Sequence, residues 1–288
     1  MPLITKQTMR TPTQNSKYRS VIDRIAPISF EENDGVKALL YGRSGTGKTT
    51  LWATFPKPIL AVICSGGSKP GELLSINTPE YRKVIRQVTL HNSEELLQIA
   101  EHVTGAGYAT IVLDHTSGLQ DLALKEILGL EELPAQKTWG LASQQQYGQC
   151  TLQCKELIRA LLGLNTNVVL VAQEREFNTE GESELLMPFV GAGLTPSLVG
   201  WLNAAVDYIC QTFIRQKEEV RKVQIGKGKQ LKTIEKRQKV KGVEFCLRTA
   251  PDPVYITKFR LPKGTPLPDV VVDPDYGKLA KLIRGEGG

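Results

Sequence analysis

No stretch of the 288-residue chain is apolar for long enough to span a bilayer, which takes about 20 consecutive residues. Met1 to Ser20 is polar and basic and lacks the apolar segment of a secretory leader. Cysteine is sparse. Five scattered residues give no disulfide framework and suit a reducing cytoplasm. Cys150 and Cys154 have a spacing that could ligate a metal, but no histidine or further cysteine lies nearby. Leu157 and Leu161 share their helical face, so they read as buried apolar cysteines, and Cys64, Cys210 and Cys246 in apolar strands read the same way. What remains is ordinary for a globular protein: 41% hydrophobic and 23% charged, in a length that suits one large α/β domain or one domain plus an appendage. The net charge of +6 favours polyanionic partners.

Residues 1–27 have no hydrophobic periodicity until about Val21 and read as a mobile basic arm carrying Lys6, Arg10, Lys17 and Arg19. The body begins near Ile28. Apolar strands are expected at Val36–Tyr41, Pro58–Cys64, Val84–Leu90, Ala109–Asp114 and Asn167–Ala172. Helical patterns alternate with them. One is capped by Ser93 and closed by Gly105 and Gly107, one covers Leu119–Leu128, and one carries Cys150, Cys154, Leu157, Ile158 and Leu161 on one face. Residues 129–146 read as a loop. The alternation predicts an α/β fold, a mainly parallel sheet with helices on both faces. The last third is different. Ala204–Ile214, Val243–Thr249 and Val254–Arg260 read as antiparallel strands that extend the sheet. Between the first two lies a basic hairpin or loop insertion, residues 215–242, with eleven basic residues against three acidic, a net +8.

One motif fixes the chemistry. Gly42-Arg43-Ser44-Gly45-Thr46-Gly47-Lys48-Thr49 fits G-x-x-x-x-G-K-[ST] at every fixed position, between an apolar strand and a helix that Thr50 continues. The glycines let successive backbone N–H groups approach a polyphosphate. Lys48 would reach the β- and γ-phosphates and Thr49 would ligate Mg²⁺. Asp114, ending an apolar strand, is the candidate second metal residue; the competing reading is a cap before Thr116 and Ser117. His115 follows it, so the adjacent Asp-Glu pair of many AAA+ motors is absent. Gln173 ends the strand Val168–Ala172 and would contact the γ-phosphate or an attacking water, or else only bond the following loop. Lys258 and Arg260 share one strand face, with Phe259 on the other. They read as cations for a phosphate on a neighbouring subunit, or as the solvated face of an edge strand.

As an ordered set, Gly42–Thr49, Ile111–Asp114, Val168–Gln173 and Lys258-x-Arg260 resemble the RecA-like ATPase core. More closely, the chain resembles the short RecA-like ATPases of bacteriophages, which act as single-strand annealing or recombination proteins, over roughly residues 35–283. The resemblance implies a RecA-like P-loop domain over residues 28–284. It implies a homo-oligomer, ring or filament, with ATP and Mg²⁺ between subunits and Lys258 and Arg260 acting in trans. It implies single-stranded DNA as partner, with a single-strand DNA-binding protein as a further one, no membrane, and a host bacterial cytoplasm. The loops at 174–195 and around Lys137 and Trp139 would face DNA; Trp139 would stack on a base or anchor its loop. The basic segment would follow a nucleic-acid backbone, or be a solvated hairpin without a partner. One departure stands out: Cys64 and Ser65 occupy the place where such enzymes carry a water-polarising acid, and Glu72 is the nearest substitute. Either slow hydrolysis or a differently positioned water is therefore expected. The alternative reading is an ATP-dependent switch or loader that recruits replication proteins, and a ring helicase is a third.

Overall fold

The computed structural model describes residues 35–64, 73–131, 133, 142–177, 189–225 and 232–286. The chain divides into two compact units, Met1–Asn33 and Asp34–Gly288, and every described residue belongs to the second. The N-terminal arm, Glu72, Lys137 and Trp139 lie outside the described residues.

The framework is a set of strands that run parallel: β1 (Lys37–Gly42), β2 (Ile59–Ile63), β3 (Ile85–Thr89), β4 (Thr110–Asp114) and β5 (Asn167–Phe177). Every residue of β1, β2 and β4 is buried. That is why they read as continuous apolar runs: a central parallel strand is covered on both faces. Strand β7 (Tyr208–Ile225) also runs parallel to β1, so the parallel order is β7-β1-β5-β4-β2-β3. Beyond β7 the direction reverses. β8 (Lys232–Arg248) and then β10 (Val270–Val272) add antiparallel strands, β9 (Lys258–Phe259) pairs with the start of β7, and β6 (Phe189–Ala192) pairs with the end of β5. The protein is thus a mostly parallel mixed α/β sheet extended by C-terminal antiparallel strands.

The two sheet faces are covered unequally. One carries α3 (Glu95–Ala106), α4 (Thr116–Leu128), α5 (Gln144–Leu162) and α6 (Pro196–Ala205). Their Leu96, Leu119, Ile158 and Leu202 pack on Leu39, Leu113 and Leu170. The other face carries α1 (Lys48–Trp52), a 3-10 turn (Leu74–Ile76), α2 (Pro79–Val84) and α7 (Tyr276–Ile283). There Trp52, Ile76 and Leu279 pack on Leu40, Val112 and Val171. All five cysteines are buried. Among the described residues no helix is long and apolar enough to cross a membrane.

Several expectations need correction. Ser93 does not cap α3: its hydroxyl bonds the Glu126 carboxylate on α4, and Glu94 occupies the cap position. Gly107 does close that helix, at φ 74°. Ala204 ends α6 rather than starting a strand, since Pro196 at the first turn opens a helix through Ala205. Residues 144–146 open α5 through a capping box between Ser143 and Gln146. The strand expected at Val254–Arg260 is reduced to Lys258–Phe259. Of the two readings of the basic segment, the hairpin agrees with the structure: the ladder of β7 and β8 continues through it to Ile225 opposite Lys232, with a register shift between Gln216 and Glu218.

Candidate nucleotide-binding site

The site lies where β1 ends. Gly42, Gly45 and Gly47 adopt φ of 159°, 80° and 87°, and two of them are also crowded. A Cβ on Gly42 would stand 2.3 Å from the Thr212 carbonyl and hydroxyl oxygens, and one on Gly47 would stand 3.1 Å from the Phe245 ring. The loop is held by its own polar groups. Lys48 Nζ donates to the carbonyls of Gly42 and Arg43, each at 2.7 Å. The Thr46 hydroxyl donates to Arg43 O at 2.7 Å and meets the Thr212 hydroxyl of β7 at 2.7 Å. Arg43, Ser44 and Gly45 are exposed at the loop's outer edge, as is Thr50 on the first turn of α1.

Register places the other residues. β5 lies between β1 and β4, with Gln173 opposite Gly42 and Val171 opposite Asp114. Alternation puts Asp114 and Gln173 on the α1 face with Val112 and Val171. A cavity of about 490 Å³ brings together Gly45, Lys48, Thr49, Asp114 and Gln173. Ser75, His115 and Phe245 complete its wall.

Asp114 is not the cap of α4. His115 is: its Nδ1 accepts the Gly118 N–H at 2.9 Å. Asp114 Oδ2 instead accepts the Trp52 indole N–H at 3.0 Å. Burial pushes the Asp114 carboxyl above its ordinary 3.8, while the Trp52 hydrogen bond and the Lys48 charge pull it back. Burial likewise holds the Lys48 ammonium below its ordinary 10.5, opposed by the Asp114 and Glu174 carboxylates. Both shifts have the sign of charges taken out of water beside each other, and a bound polyanion with a divalent cation would compensate both. The donors fit that cation. Thr49 and Asp114 supply hard oxygen atoms beside a loop of backbone N–H groups, the set that suits Mg²⁺ on a phosphate. Among the described residues that line the cavity, Asp114 is the one carboxylate.

The sequence matches the AAA domain family over residues 34–261. The chain belongs to that family. Its fold and its phosphate loop are those of an AAA-type P-loop ATPase domain. A comparison with curated proteins returns no match.

In this AAA domain Lys258 and Arg260 stand apart from the cavity. β9 pairs with Tyr208 and Ile209, beside the first half of β1 rather than its end. Lys258 Nζ donates to Asn203 O at 2.7 Å and Val206 O at 2.6 Å, closing the C-terminus of α6. Arg260 pairs with Asp207 at 2.6 Å. Phe259 faces the other way, against Tyr208 at 4.7 Å between ring centroids. Four residues of the site escaped sequence reasoning: Trp52, Ser75, Thr212 and Phe245. Thr212 and Phe245 fall in strand stretches more than 160 residues from the loop.

Proposed function

We propose that the chain is a subunit of a magnesium-dependent ATPase that binds ATP between copies of itself, binds single-stranded DNA and promotes annealing or strand pairing. The observation that carries the nucleotide half is the meeting of Lys48, Thr49, Asp114 and Gln173 in one cavity. Loop N–H groups and Lys48 take the phosphate charge, and Thr49 and Asp114 hold the cation, which supplies Lewis-acid stabilisation of the phosphoryl oxygens. Gln173 orients a water toward the γ-phosphate, and Glu72 is the candidate acid that polarises it. Lys258 and Arg260 act on the nucleotide of the adjacent copy. The DNA half rests on the net +8 between residues 215 and 242 and on the resemblance to phage recombination ATPases, with residues 174–195 and Trp139 also facing the strand.

The test is the affinity for a single-stranded oligonucleotide, with and without Mg·ATP, over a salt series. Each phosphate neutralised contributes roughly −0.7 to the slope of log K against log salt on a single strand. A slope of about −3 or steeper is expected, with tighter binding in Mg·ATP. Lys48→Ala is expected to remove the ATP effect and the nucleotide binding while leaving the salt-dependent contacts. A flat salt response would defeat the DNA assignment.

A second reading is a nucleotide-dependent switch or loader that recruits replication proteins. Cys64 favours it: the residue just after β2, the strand that follows the phosphate-loop helix, is an apolar thiol, 1% exposed, where a water-polarising acid would be expected. Its mark would be ATP binding without salt-sensitive DNA affinity.

A further inference from the structure

We infer that Phe245, flanked by Ile214, is the platform on which the nucleobase of the bound triphosphate lies. The inference rests on the ATP-binding reading and extends it to the half of the ligand that the phosphate loop does not touch.

Direction comes first. The metal residue Asp114 is on β4 and Gln173 on β5, both to one side of the loop-bearing strand β1. A cation held by Asp114 and Thr49 draws the terminal phosphates to that side. The sugar and base must therefore leave on the other side, over β7 and β8. Thr212 and Leu247 are paired there on the α1 face, and two residues further out Ile214 is paired with Phe245 on the same face. Phe245 lines the phosphate cavity and its ring borders Gly47 of the loop.

The chemistry of that surface is apolar and fixed. Six large hydrophobic side chains are exposed among the described residues, and three of them, Ile214, Val243 and Phe245, share this one ribbon face. Phe245 itself is 41% exposed. The charges next in sequence turn to the opposite face, where Arg215 pairs with Glu244 at 2.9 Å. The Phe245 backbone is held on both edges, by its pairing with Ile214 and by the Asp273 N–H donating to its carbonyl at 2.7 Å. A ring presented on fixed backbone beside a phosphate loop suits stacking of a flat base, and accepts any base because every base has a π face.

The experiment compares Mg²⁺-dependent binding of ATP and of inorganic tripolyphosphate to the wild-type chain, Phe245→Ala, Phe245→Trp and Lys48→Ala. Tripolyphosphate carries the phosphates without the base. Phe245→Ala is expected to weaken ATP about tenfold, the order of one lost stacking contact, and to leave tripolyphosphate unchanged. Phe245→Trp should keep ATP affinity. Lys48→Ala should weaken both ligands. An unchanged ratio of ATP to tripolyphosphate affinity in Phe245→Ala overturns the platform, whether both fall together or neither falls. A change in self-association without a change in that ratio also overturns it, and would assign the face to a second copy of the chain. If the wild type binds neither ligand, the phosphate-loop reading itself fails, a result that no Phe245 variant can mimic.

Discussion

Trp52 and Asp114 carry a consequence that can be read in a pH profile. In the proposed site, magnesium and triphosphate would need the Asp114 carboxylate ionised, and burial resists that ionisation while the Trp52 N–H assists it. Affinity for Mg·ATP is therefore expected to fall as pH drops through the raised Asp114 value. It should fall again at alkaline pH as Lys48, held below its ordinary value by burial, loses its proton. Trp52→Phe removes the donor and should move the acid limb to higher pH while leaving the alkaline limb in place. Calorimetric titration across both limbs checks this, and an unmoved acid limb would show that another group controls it. The sign for stability without ligand follows from the same shift. A carboxyl raised in the fold contributes stability at low pH that is lost as pH rises through the folded value, and Trp52→Phe should shift that loss upward in pH too.

The element that holds Asp114 in place is the junction of β4 and α4, and Gly118 decides how closely it can pack. A Cβ there would lie 1.6 Å from the Cys64 carbonyl oxygen, a backbone atom pinned at the end of β2 because the Cys64 N–H donates to Asp114 O at 2.9 Å. Gly118→Ala should destabilise the domain by about 3 kcal/mol or more and weaken Mg·ATP binding with it. Gly148 in α5 is the control, since a Cβ there meets nothing within 4 Å. Gly148→Ala should stabilise by about 0.5–1 kcal/mol, so thermal melts of the two variants should move in opposite directions. Such junctions mark where the sequence stops being legible. β1, β2, β4 and β5 could be read from it because strands buried on both faces are runs of apolar residues, and the phosphate loop because its spacing is itself the chemistry. The placement of β5 between β1 and β4 could not, because strand order is set by packing across the sheet and leaves no local trace. The paired length of β7 and β8 was hidden for another reason. The segment 215–242 has no hydrophobic alternation in its sequence to follow, and its basic residues read the same in a strand and in a loop. Phe245 and Thr212 join the site through contacts that span the chain, which no window of sequence contains.

Taken whole, the molecule keeps Lys258 and Arg260 away from its own phosphate loop. Lys258 pairs with Ile209, which pairs with Leu39, three residues or about 10 Å of strand short of Gly42. It also lies on the face that packs α6, opposite the face that carries α1. With Lys258 held by α6 and Arg260 by Asp207, the catalytic use proposed for them is through a second copy, joined head to tail so that the β9 edge of one faces the loop of the next. Leaving their present partners costs little for Arg260, whose pair with Asp207 is 57% and 31% exposed. It costs more for Lys258, which closes α6. Mixing two inactive proteins separates these roles. Lys48→Ala has intact cations and a dead loop; Lys258→Ala with Arg260→Ala has an intact loop and no cations. Each alone is expected to be inactive, the second with ATP binding preserved. In an equal mixture about a quarter of head-to-tail interfaces join an intact loop to intact cations, so turnover should recover to about a quarter of wild type. A mixture no more active than its parents would confine Lys258 and Arg260 to closing α6. Full turnover in the double variant alone would leave the interface between copies without any catalytic part from β9.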